Sequence, residues 1–176
     1  MTDTPILIGL TGFARSGKDT VASILERDHG FERRAIADPI KALLAAADPD
    51  VRRHVDGFGW EHVKTAHSGV RDRLQAIGAV IRREWGEDFL LGSIVSNWQT
   101  KIGPRLVISD VRTNAEADLI RDYGGFIVRI ERPGVGPANG DITERKLAAG
   151  IVIQNDRTIE ALSVPVRMIV EGPRAA

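Results

Sequence analysis

Gly12-Phe-Ala-Arg-Ser-Gly-Lys-Asp-Thr20 is the stretch that decides the reading of this 176-residue chain. Gly12 and Gly17 bracket four residues and Lys18 follows, the spacing of a loop whose backbone N–H groups converge on one anion. The two glycines allow the turn, and the helix that opens here adds the positive end of its dipole. Lys18 is then expected to reach the β- and γ-phosphates of a nucleoside triphosphate, with Arg15 and Ser16 in the same loop. One position departs from the pattern. Asp19 stands where a Ser or Thr is usual, and the first hydroxyl is that of Thr20. A carboxylate at 19 can ligate Mg²⁺, which favours oxygen. It can equally act as a first-turn acid, leaving Thr20 as the hydroxyl.

The flanks fit the loop. Pro5-Ile-Leu-Ile-Gly-Leu-Thr11 is a short apolar run that reads as a strand buried on both faces, and residues 18–29 have helical spacing with Val21, Ile24 and Leu25 inward. Further strands are expected at 31–35, 105–109, 126–131 and 151–153. Asp38-Pro39 reads as a helix start, Asp38 as N-cap and Pro39 as the first helical residue. Residues 70–85 carry an apolar stripe of Val70, Leu74, Ile77, Ile81 and Trp85. Helices are also expected at 87–101, 115–123 and 144–149, and one opening at 158–162. Residues 48–68, polar with several Gly and three His, read as a loop or small insertion with local helix, and 133–141 as a mobile loop. The order predicts an α/β three-layer fold: a mainly parallel central sheet, helices on both faces, one domain over residues 1–176.

Composition bounds the function. The chain is 43% hydrophobic and 27% charged, with 24 basic and 24 acidic residues, so no global basic field for nucleic acid is expected. Without cysteine there are no disulfides, zinc–thiolate sites or Cys nucleophiles. No basic n-region or membrane-length apolar run is present, and the expected location is the cytoplasm. His54, His62 and His67 are spaced by eight and five, which puts no two on one helical turn; they read as loop residues. Trp60, Trp85 and Trp98 read as packing.

At 100° per residue, Arg71, Gln75, Gly78 and Arg82 share a stripe beside the apolar one. It offers two guanidiniums for a phosphate, an amide for a base edge, and a gap for close approach. Arg73 lies on another face. Asp110 follows the strand at 105–109, and ligands of open parallel sheets gather at the carboxyl ends of strands. An acid there can hold Mg²⁺ through water or position an attacking phosphate. Arg112 can bridge phosphates, and Asn114 and Glu116 read as loop and helix support.

A longer set of segments carries a resemblance. Gly9-Leu-Thr-Gly12 with Ser16-Gly-Lys-Asp-Thr-Val-Ala22 resembles the opening of small-metabolite kinases such as dephospho-CoA kinase. Ala37-Asp-Pro-Ile-Lys41, Arg73-Leu-Gln75 with Gly78 and Arg82, Ile108-Ser-Asp-Val-Arg112 with Asn114 and Glu116, Gly124-Gly with Arg132-Pro133, and Ile153 with Asn155-Asp156 resemble, in order, the bacteriophage deoxynucleoside monophosphate kinases. Where that family often shows His-x-Ser-Glu, this chain has Asp141-Ile-Thr143-Glu144. The resemblance implies a P-loop kinase fold with an acceptor-binding part at about 36–101 and a lid at about 132–149. It implies transfer of a phosphoryl group from ATP, with Mg²⁺, to a deoxynucleoside monophosphate, and often a dimer. Asp38 and Lys41 would lie beside the acceptor, Asn155 near adenine, and Arg132 and Arg145 on the lid, whose closure would exclude water. The expected metal oxygens are Asp19, Thr20 and Asp110. The competing readings are dephospho-CoA kinase, a nucleotide switch, for which no Asn-Lys-x-Asp guanine motif is present, and a non-catalytic nucleotide binder.

Overall fold

The computed structural model describes residues 6–67, 69–100, 104–136 and 147–172. By its internal contacts the chain divides into two compact units, one of residues 1–35 and 95–176, the other of residues 36–94.

The first unit is built on five parallel strands, β1 (Ile6–Thr11), β2 (Glu32–Arg34), β3 (Arg105–Ile108), β4 (Phe126–Glu131) and β5 (Ile151–Gln154), in the order β2-β3-β1-β4-β5. The central strand β1 is buried at every position, as its unbroken apolar sequence requires. Its side chains alternate between two cores. Ile8 and Leu10 join Val21, Ile24 and Leu25 of α1 (Lys18–His29) and Leu162, Val166 and Val170 of α7 (Ile159–Glu171). On the other face, Gly9 lies under Ile120 of α6 (Asn114–Asp122) and beside Val111 and Ile127. The fold is therefore the predicted three-layer α/β arrangement, with helices on both faces. Because every strand is parallel, the segments that follow β1, β3, β4 and β5 all leave from one edge of the sheet.

The second unit holds α2 (Asp38–Ala47), α3 (Pro49–Ala66), α4 (Val70–Trp85) and the start of α5 (Phe89–Gln99), which continues into the first unit. Its core is Leu44, Val51, Val63 and Val70, with Val55, Trp60, Leu74 and Ile77 packed against it. Four expectations are corrected here. Pro49–Ala66 is one kinked helix rather than a loop or insertion with only local helix: Asp48 accepts hydrogen bonds from the backbone N–H of Asp50 and Val51, and Pro49 stands at the first helical position. Arg73 donates to the same carboxylate at 2.8 Å, and these bonds, the one from Arg73 foremost, hold Asp48 below the usual carboxylate range. Gly59, at φ 77°, kinks this helix, so its apolar period breaks, and His54, His62 and the capping His67 belong to it rather than to a loop. Asp38 is not the cap of α2; that position is Ala37, and the Asp38 carboxylate pairs with Lys41 Nζ at 2.9 Å. Trp85 is 59% exposed and stacks on Phe89, while Val70 and Gly78 are buried, so the inward stripe of α4 ends before its last turn. In the first unit, residues 147–149, the described end of the helix expected at 144–149, are irregular.

Gly9 tests the tightness of the sheet–α6 interface. A methyl group there would sit 2.6 Å from Ile120 Cδ1 and 2.7 Å from Ile127 Cδ1, both buried. Gly9→Ala should cost about 1–3 kcal/mol by overpacking. Urea unfolding should show a lower midpoint with an unchanged slope; an unchanged midpoint would mean that the layer yields.

Candidate active site

The loop between β1 and α1 is shaped by close contact with the ends of neighbouring strands. Gly12 has φ 139° and Gly17 φ 105°, conformations that side chains rarely adopt. A Cβ on Gly12 would lie 2.4 Å from the Ile130 carbonyl oxygen and 2.9 Å from Ser16 Oγ. A Cβ on Gly17 would lie 2.3 Å from Asn155 Nδ2. Arg15, exposed at the loop's tip, has φ 65°, a position of local strain for a residue with a side chain. The Ser16 N–H donates to the Phe13 carbonyl at 3.1 Å, closing the turn. Lys18 folds back over the loop, and Nζ donates to the carbonyls of Gly12 at 2.6 Å and Phe13 at 2.8 Å. The Ser16 hydroxyl is buried, at 1% exposure, and finds no hydrogen-bond partner among the described residues. Two positions with no room for a side chain, a folded-over ammonium and an orphaned hydroxyl fit a phosphate group.

Asp19 points away from this nest. Its carboxylate is ion-paired with Arg33 of β2, and the side chain is 84% exposed. Thr20, on the same turn of α1, is half-buried. Arg33 is not legible from residue pattern, because a strand residue fourteen positions away carries no local signal.

Asp110 and Arg112 follow β3. The segment is held to β1 by Val111, whose N–H donates to the Leu10 carbonyl at 3.0 Å. It is held to α6 by Glu116, whose carboxylate accepts from the N–H of Arg112 at 2.7 Å and of Thr113 at 2.9 Å. Thr113 Oγ1 accepts from the Glu116 N–H in return. This is a capping box, legible in Thr113-Asn-Ala-Glu116. Glu116 is buried, and that burial, with the nearby charge of Asp110, raises its pKa above the ordinary value against the pull of the two N–H donors. Arg132 follows β4. Asn155 follows β5 and donates from Nδ2 to the Ser16 carbonyl at 2.8 Å. Lys18, Asp110, Arg112, Arg132 and Asn155 therefore all lie at the carboxyl ends of strands or in the turns that leave them, within one unit. Arg145 lies outside the described residues.

In the second unit Arg71, Gln75 and Arg82 are exposed on α4, and Gly78 between them is buried. The space at Gly78 is not an open gap: a Cβ there would sit 3.1 Å from Ile40 Cδ1 and 3.5 Å from both Nη atoms of Arg82. Gly78 thus serves the packing of α4 on α2 and lets the Arg82 guanidinium lie back over the helix.

The raised pKa of Glu116 has a definite sign. The folded state binds this proton more tightly than the unfolded chain, so the group's contribution to stability is present below the unfolded value and is lost as pH rises through the folded one. Glu116→Gln cannot titrate, yet it keeps an acceptor for the two N–H groups. Its stability relative to the native chain should improve as pH is raised from about 4 toward 7. Chemical denaturation across that range checks this, and a constant difference would refute it.

The whole chain has relatives that match this geometry. A family model described as deoxynucleotide monophosphate kinase matches residues 6–84 and 62–166. A protein of Acanthamoeba polyphaga mimivirus, named as a candidate deoxynucleotide monophosphate kinase, is 30% identical over 88% of this chain and 91% of its own length. Among solved structures, shikimate kinase from Aquifex aeolicus has a TM-score of 0.51 at 18% identity, covering 94% of this chain and 96% of its own. Dephospho-CoA kinase from Campylobacter jejuni has a TM-score of 0.50 at 13% identity, covering 96% of each chain. These two likenesses speak for the fold. The family match and the viral relative together span nearly all of the sequence, and the chain belongs to the deoxynucleotide monophosphate kinase family.

Proposed function

We propose that this protein transfers the γ-phosphoryl group of ATP to a deoxynucleoside monophosphate, giving ADP and the deoxynucleoside diphosphate. The observation that carries the reading is the loop at residues 12–17, closed on itself with Lys18 folded over its carbonyls, in a chain of this family.

The roles follow from charge and position. Phosphoryl transfer is mainly positioning and electrostatic stabilisation. Gly12, Arg15, Ser16, Gly17 and Lys18 take the triphosphate, and Lys18 exchanges the carbonyls of Gly12 and Phe13 for phosphate oxygens. Mg²⁺, when bound, offsets the charge that gathers on the β- and γ-phosphates. Thr20 and Asp110 would hold it, with Asp19 joining them on leaving Arg33. Alternatively Asp110 takes the proton of the acceptor phosphate, and in either role it positions that phosphate for in-line attack. Arg112 and Arg132 spread the charge of the transferred group; Arg145 and most of the expected lid lie outside the described residues. In the second unit Arg71 and Arg82 offer two guanidiniums to an acceptor nucleotide, Gln75 offers an amide to a base edge, and Asp38 is paired with Lys41.

An ADP-release assay with ATP, Mg²⁺ and each of the four deoxynucleoside monophosphates tests the reaction. Ribonucleotides and dephospho-CoA complete the panel. Turnover is expected with one or more deoxynucleotides; turnover with dephospho-CoA alone, or with no acceptor, would overturn the proposal. Lys18→Ala and Asp110→Asn should each lower kcat by about 10²–10³-fold, the usual loss for one preorganised charge. Arg71→Ala and Arg82→Ala should instead raise KM for the monophosphate by about 10–100-fold, the worth of a charge-assisted bond, with little change in KM for ATP. An equal rise for both substrates would remove these arginines from the acceptor site.

A further inference from the structure

The resemblance puts Asn155 near adenine, and the structure shows what one N–H of its side-chain amide holds. The loop after β5 brings it to the phosphate loop, 139 residues away in sequence, where Nδ2 donates to the Ser16 carbonyl at 2.8 Å. The amide lies flush against the next residue, since a methyl on Gly17 would stand 2.3 Å from Nδ2. At its other end Asn155 is itself anchored: its N–H donates to the Glu131 carbonyl at 2.7 Å, one residue before Arg132. Glu131 is fixed in turn by Arg129 at 2.9 Å and by Gln154 at 3.0 Å.

We propose that Asn155 is a positioning residue of the phosphate loop, a clamp that sets the orientation of the Ser16–Gly17 peptide rather than a reader of the base. In a trans peptide C=O and N–H point in opposite directions. Holding the Ser16 carbonyl toward Asn155 turns the Gly17 N–H away from it. Gly17 has no side chain to restrict its own rotation, so this orientation has to be imposed from outside. An amide is the right group for the task, because it donates to the carbonyl while matching a carboxylate in shape. Asp at this position would set a carboxylate against a carbonyl oxygen. The clamp also ties the phosphate loop to the strand end that leads into Arg132.

This inference rests on residues 12–20 being the triphosphate site, and its test separates the two. Hydrogen exchange would be followed on the ligand-free native chain and on Asn155→Ala and Asn155→Asp, with circular dichroism to establish folding. Binding of ATP and of inorganic tripolyphosphate, which has no base, would be measured by calorimetry. A clamp predicts faster exchange of the Ser16 and Lys18 amides in both variants. It also predicts that ATP and tripolyphosphate weaken by the same factor, about 3- to 10-fold for one lost hydrogen bond and more for Asp. Unchanged exchange, or a loss confined to ATP, would overturn the proposal and return Asn155 to the base. If the native chain bound neither ligand, the phosphate-site reading would fall, and the exchange data alone would decide whether Asn155 holds the loop.

Discussion

Gly12 sits so close to the end of β4 that a single methyl group would lie 2.4 Å from the Ile130 carbonyl oxygen, well inside van der Waals contact. That approach is possible because β1 and β4 are neighbouring parallel strands in register, Leu10 opposite Val128 and Thr11 opposite Arg129. The loop leaving β1 must turn over the end of β4, and only a residue without a side chain fits beneath it. Once Gly12 is seated there, the rest follows in sequence. Ser16 closes back on Phe13, Gly17 takes up a positive φ against Asn155, and α1 starts at Lys18 with its first turn beside the nest. The site is a consequence of strand order: with β4 anywhere else in the sheet, the loop would have no carbonyl to rest on.

The electrostatics of the nest are local. The chain has equal numbers of basic and acidic residues, so attraction for a polyanion at this loop has to come from oriented dipoles and from Lys18 and Arg15 rather than from a broad field. Lys18 spends two of its donors on carbonyls of the loop it serves. Those bonds keep a half-buried ammonium satisfied and hold the loop closed. The turns at Gly12 and Gly17 are set in advance, with a strained Arg15 between them, whereas on the proposed function Lys18 has to give up its two carbonyls when the anion arrives.

Much of this was legible from residue pattern, and the exceptions share a cause. β1, α1 and the phosphate loop were readable because a buried strand, a glycine-bracketed turn and an amphipathic helix each leave a short-range signature. The strands at 105–108 and 126–131 were readable for the same reason. Residues 49–66 were not, because their helix depends on a cap at Asp48 that is shared with Arg73, twenty-five residues away, and because Gly59 breaks its period. Trp85 fits the apolar stripe by spacing, but spacing cannot say where a packing partner ends. Gly78 was read as space for a ligand, whereas Ile40 of α2 fills it. Asn155 is the clearest case: its partner is the Ser16 carbonyl, and no local sequence pattern announces a bond to a distant backbone atom.

Asp19 departs from the phosphate-loop pattern, which has Ser or Thr at this position. Its pair with Arg33 would seem to take the carboxylate out of any metal site. The magnitudes argue otherwise. The Asp19 side chain is 84% exposed and its partner 29%, and such pairs contribute roughly 0–1 kcal/mol because water and salt screen them. A divalent cation beside a triphosphate offers an oxygen ligand far more than that. On the proposed function the pair is a resting position, in which Arg33 offsets the Asp19 charge until a cation is present to receive it. Ser or Thr at this position would be neutral and would need no such partner.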